Sequence, residues 1–166
     1  MTIHNHGAAR SGFQAEKKIK SITQSVGRTL LKIKKDFEQA EIEEWGTRYH
    51  KPPSTWPQTT PKGYQRKYIA DGFIPLENNG GIIIELKHSD KHGTTEEKVF
   101  YDITKIRYGV YGKKYDLWYV FTGETCKDTN AYKEFEIECK KEKLPVKIIW
   151  GIDDFEKELK KLKKGE

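Results

Sequence analysis

The sequence predicts an α/β fold in a single domain, 1–166, with a mixed central β-sheet flanked by helices. Three patterns carry that expectation. A long amphipathic period opens the chain, two apolar runs flank a tight turn near its middle, and helix and strand patterns alternate from there to the end.

The elements follow in order. Apolar residues at Ala15, Ile19, Ile22, Val26, Leu30, Ile33, Phe37 and Ala40 fall in steps of three and four, the period of one helical face. Ser11 is placed to cap this helix, and Trp45-Gly46 ends it. Residues 45–68 carry Pro52, Pro53, Pro57 and Pro61, which exclude a long helix and predict an irregular, exposed segment. Runs 67–77 and 82–87 flank Asn78-Asn79-Gly80-Gly81, a hairpin signal. Gly93-Thr94-Thr95-Glu96-Glu97 supplies a cap and early acids for a second helix that buries Val99, Ile103 and Ile106. LWYVFTG (117–123) reads as a buried strand, 130–143 as a helix, 146–150 as a strand and 153–164 as a helix capped by Asp153.

Composition narrows the function. A chain of 166 residues with 7 Phe, 9 Tyr and 4 Trp can build a core, so wholesale disorder is excluded. No apolar run approaches the length of a membrane-spanning helix, and the N-terminal residues lack the apolar stretch of a secretory leader. Cys126 and Cys139 have no paired spacing, which argues against a disulfide scaffold or zinc ribbon and for a reducing cytoplasm. The net charge of +6 permits a polyanionic partner. Its distribution is uneven: 45–70 holds Arg48, Lys51, Lys62, Arg66 and Lys67 and no acid.

The hairpin carries the chemistry. With its turn centred between Asn79 and Gly80, Asp71 stands opposite His88, at the same end as Glu85 and Lys87. Residues two apart on a strand share a face, so Glu85 and Lys87 project together. Two neighbouring carboxylates repel unless a positive charge lies between them, and a hard divalent cation suits their oxygens. A phosphodiester is a fitting substrate: a cation polarises the phosphoryl group while the lysine orients the attacking water. E-x-K occurs five times, at Glu16, Glu85, Glu96, Glu138 and Glu158. Only the copy at Glu85 ends a β-branched run preceded by a spaced aspartate and a turn.

YIADGFIP…GGIIIELK resembles the PD-(D/E)XK nuclease superfamily, the restriction-endonuclease-like fold, with Ala70 where the name has proline. Gly12-x-x-x-Glu16 is similar to the first-helix glutamate that some members place near the metal. GTTEEKVFYDITKI (93–106) and LWYVFTG resemble the helix and strand that follow E-x-K in restriction-type members. Residues 12–123 can be laid on the family core. The resemblance implies a Mg2+-dependent endonuclease, Mn2+ substituting, that leaves 5′-phosphate and 3′-hydroxyl ends. Asp71 and Glu85 would hold the metal with the Leu86 carbonyl, Glu16 would be a third carboxylate, and Lys87 would position the water.

Outside that centre, Arg48, Lys51, Arg66, Lys67 and Lys98 are candidates for phosphate or base contact, and Trp56 and Tyr64 for stacking. The expected partner is double-stranded DNA, with no membrane and no organic cofactor. A type II restriction enzyme is the leading expectation, and cutting both strands of a palindrome calls for a homodimer. A junction-resolving or repair endonuclease is the alternative within nucleases. A non-catalytic nucleic-acid-binding module of the same fold is the alternative outside them.

Overall fold

The computed structural model describes residues 6–31, 47–50, 66–77, 80–89, 95–109, 111 and 113–162. In chain order the elements are α1 (His6–Ser25), β1 (Thr47–His50), β2 (Arg66–Ile69), β3 (Gly72–Pro75), β4 (Gly81–His88), α2 (Thr95–Arg107), β5 (Asp116–Thr122), α3 (Asn130–Lys141), β6 (Lys147–Trp150) and α4 (Ile152–Lys161). Four strands form a mixed sheet in the order β3-β4-β5-β6, with β3 antiparallel to β4 and the other neighbours parallel. No helix among the described residues is long and apolar enough to cross a membrane.

Both sheet faces are covered, because the central strands are apolar at odd and even positions alike. Ile83, Leu117, Tyr119 and Phe121 pack with Val99, Ile103 and Ile106 of α2 and with Tyr132 and Phe135 of α3. Ile82, Ile84, Trp118 and Val120 pack with Ile19 of α1 and with Phe155 and Leu159 of α4. Phe121 stacks on Tyr132 at 4.3 Å, and Trp118 meets Phe155 edge-on. Burying each such side chain contributes roughly 1.5–3 kcal/mol, so the two layers hold the strands that carry the site.

Helix α1 starts before the expected cap, since Ser11 lies inside it, and it stops well short of Ala40. Gly27 terminates it with φ +76°. The Gly27 N–H donates to Gln24 O and the Arg28 N–H to Thr23 O, the paired bonds of a glycine C-cap. The chain then runs extended, and Leu31 exchanges both main-chain hydrogen bonds with Phe73. Leu30 is buried on the α1 side for that reason, not as part of the helix; residues 32–40 lie outside the described ones.

The expected run 67–77 is two strands. β2 ends at Ile69 and pairs antiparallel with β1 in a separate two-stranded ladder, which replaces irregular structure at both ends of 45–68. β3 begins at Gly72. The hairpin register also differs from the expected one by three residues. Pro75 pairs with Gly81, and Leu76–Gly80 form the connection, held by Leu76 N–H to Gly80 O. Gly81 opens β4 because the Phe73 ring lies where a Cβ would be. Its role is close packing and not the turn.

The second half follows expectation closely. α4 is capped by Gly151 (φ +93°) in place of Asp153, which sits with Asp154 in the first turn, where carboxylates favour the positive end of the helix dipole.

Candidate active site

The observed register, continued by one residue beyond Gly72–Ile84, sets Asp71 opposite Glu85, not His88. Opposite residues of an antiparallel pair share a face, so the register brings Asp71 and Glu85 to the same level and face of the sheet. Phe73 bonds outward to Leu31, so Gly72 and Ile74 bond inward to β4. That alternation turns the main-chain groups of Leu86 toward the β3 side. There Asp71 Oδ2 accepts the Leu86 N–H at 2.8 Å, and the Leu86 carbonyl shares that side of the strand.

Glu85 and Lys87 share the Ile83 face of β4, toward α2. Glu85 is 4% exposed. The Lys87 Nζ lies 3.4 Å from Glu85 Oε2 and 2.9 Å from Asp102 Oδ2 on α2. Lys105, one helical turn on, approaches the other Asp102 oxygen at 2.5 Å. Burial pushes the Lys87 ammonium toward deprotonation, but the charges of Glu85, Asp102 and more distantly Asp71 outweigh it, and the net shift is upward. Lys87 is therefore held as a cation.

Below the lysine lies the Tyr119 ring, 5.8 Å from Nζ. Burial first, then Tyr111, Glu85 and Asp102, push the Tyr119 phenol well above its usual range. Its hydroxyl shares a 2.5 Å hydrogen bond with that of Tyr111. At the open end of β4, His88 Nδ1 meets Thr122 Oγ1 at 2.9 Å, and Ser89 is tied to Thr125, which joins the loops after β4 and β5.

Among the described residues no group of three or more His, Cys, Asp or Glu is arranged as a metal-binding set. Asp71, Glu85 and Asp102 all act on the Lys87 ammonium, and Lys105 meets Asp102 as well. Asp102 has both oxygens engaged by lysines, while Asp71 and Glu85, which accept from the Leu86 N–H and from Lys87, and the Leu86 carbonyl are oxygen donors of the kind a hard divalent ion takes.

The other candidates are dispersed. Glu16 is half-buried on α1, which packs on the Ile82/Ile84 face of the sheet, opposite to the face of Glu85 and Lys87. Lys98 is exposed on α2, one turn before Asp102. The β1–β2 ladder pairs Arg48 with Tyr68, Lys67 with Tyr49 and Arg66 with His50. Lys51, Trp56 and Tyr64 lie outside the described residues.

Asp102 was missed by sequence reasoning, though a signal for it exists. It stands three residues after Val99 and four before Ile106, an acid on the apolar stripe of α2. A carboxylate at such a position is buried at a cost unless a cation meets it. Comparison with family models, with curated proteins and with solved structures finds no match to this chain.

Proposed function

We propose that this protein is a Mg2+-dependent DNA endonuclease with a restriction-endonuclease-like core, and that it acts as a type II restriction enzyme. The observation that carries the reading is that the β3–β4 register, continued by one residue, sets Asp71 opposite Glu85, with the Lys87 ammonium acted on by both. The Asp71 anchor on Leu86 supports it further, since it ties one ligand candidate to the main chain of the other strand.

Asp71, Glu85 and the Leu86 carbonyl would hold Mg2+, with Mn2+ able to replace it. Bound there, the ion supplies Lewis acidity toward a phosphoryl oxygen. Lys87, held as an ammonium, does not take a proton from the attacking water. It orients that water by donating to its oxygen and faces the charge that grows on the phosphate. The water oxygen bonds to phosphorus and gives up one proton to solvent, the bond from phosphorus to the 3′ oxygen breaks, and that oxygen takes a proton from solvent, leaving 5′-phosphate and 3′-hydroxyl ends. Tyr119, kept neutral under the lysine, gives Lys87 an apolar floor that restricts its reach. Lys98 and the basic residues of 45–68 would contact the phosphates of double-stranded DNA, and a homodimer would place two such sites on one palindrome.

The test is to map cut ends on a phage genome with Mg2+ and, in parallel, to digest a four-way junction. Ends at one short sequence support restriction. Cutting that follows branch geometry replaces it with junction resolution, and binding without cutting leaves a nucleic-acid-binding module.

A further inference from the structure

We propose that Asp102 is a positioning residue that shares the Lys87 ammonium with Glu85 and so weakens the lysine's hold on the carboxylate that would bind the cation. This rests on the metal-binding reading of Asp71 and Glu85. Lys87 is an ammonium shared between two buried carboxylates: it donates a 3.4 Å hydrogen bond to Glu85 Oε2 and stands 2.9 Å from Asp102 Oδ2. Glu85 and Lys87 are on one strand, two residues apart, so nothing in the strand geometry prevents a closer pair. The sharing comes from α2, which Val99, Ile103 and Ile106 seat against the sheet with Asp102 turned inward. Lys105 fastens the other oxygen of Asp102, so the carboxylate is braced from the helix side and presents one oxygen to Lys87.

The consequence is specific. Without the Asp102 charge, Lys87 closes further onto Glu85, to which it already donates. An ammonium closed onto a ligand carboxylate competes directly with a divalent ion for the same oxygens. Asp102 thus acts on metal binding through Lys87, and it touches neither metal nor substrate itself.

The experiment is direct Mn2+ binding by isothermal titration, read alongside thermal unfolding of every variant. Wild type is expected to bind, and Asp102→Asn to bind at least about tenfold more weakly, a loss of about 1.4 kcal/mol. The deciding comparison is made in the Lys87→Met background. There Asp102→Asn is expected to change Mn2+ affinity less than about twofold, because the competing ammonium is gone. A simple loss of negative charge, or a loosened fold, would persist in that background and overturn the proposal. Wild-type affinity in Asp102→Asn overturns it as well. Should Asp102→Asn fail to unfold cooperatively, Asp102→Ser is read against the same two backgrounds with the same expectations. Wild-type protein that binds no Mn2+ at millimolar concentration removes the metal reading itself, and this role for Asp102 goes with it.

Discussion

Asp71 extends the ladder of its neighbour: standing one residue before β3 begins, its Oδ2 accepts the Leu86 N–H at 2.8 Å. A side chain does here what a strand carbonyl does elsewhere, and it brings a carboxylate to the level of Glu85. The two roles can be separated. Asp71→Asn keeps an oxygen for the N–H and is expected to lose less than about 1 kcal/mol of stability, while Asp71→Ala leaves the donor unmet and loses about 1–3 kcal/mol. Both are expected to abolish DNA cleavage. Urea unfolding and plasmid nicking, measured on the same preparations, check the split.

Lys87 binds a cluster of acids together, so its removal exposes them to one another. Lys87→Met is expected to lose about 3 kcal/mol at neutral pH, since buried carboxylates are left with Lys105 as the nearest cation. Lys87→Arg keeps a cation beside them and is expected to lose less; urea unfolding of both variants measures this, and an equal deficit contradicts the charge account.

The hairpin shows what the sequence made legible and what it did not. Ile82-Ile83-Ile84 fixes a fully buried strand whatever its partner, and LWYVFTG does the same, so the α/β layering could be read directly. The register could not. It depends on Leu76–Gly80 forming a five-residue connection and on Gly81 lying under the Phe73 ring, a contact between residues eight apart. Glu85 and Lys87 stood out through E-x-K at a strand end, yet their tight partner Asp102 comes from the next helix, and helix-to-strand distances are not written in a local pattern. The end of α1 was masked because Leu30 keeps the helical spacing while being buried as extended chain after Gly27.

Burial sets an alkaline limit on the fold. It pushes the Cys139 thiol up to about 12 from the 9.0 of a free thiol, with Glu142 adding to the effect. Cys126 and Tyr119 are shifted in the same direction. Between pH 9 and 12 the unfolded chain releases the Cys139 proton while the folded chain retains it, so stability falls as pH rises through that range. Denaturation at pH 8 and pH 10 should show the fall, and Cys139→Ala should show a shallower one. Iodoacetamide at pH 8 is expected to label Cys139 in urea but not in the folded protein.

Gly123 ends β5 with φ +101°, and a Cβ there would run into the main chain of Ser89. Gly123→Ala is therefore expected to destabilise by at least about 2 kcal/mol, from backbone strain and overlap together. Because Ser89 follows β4 directly, activity should fall further than stability alone explains. Thermal unfolding and nicking rates below the melting transition separate the two effects.

The central claim is that the Asp71–Glu85–Lys87 centre cleaves DNA with a divalent cation. Its most direct test is conversion of supercoiled plasmid by purified wild type, Glu85→Gln and Lys87→Met, each in Mg2+ and in EDTA. Cleavage by wild type in Mg2+ alone, and none by either folded variant, is the predicted result. Equal cleavage by Glu85→Gln, or intact plasmid from wild type in Mg2+ and Mn2+ under conditions where it binds the DNA, would contradict it.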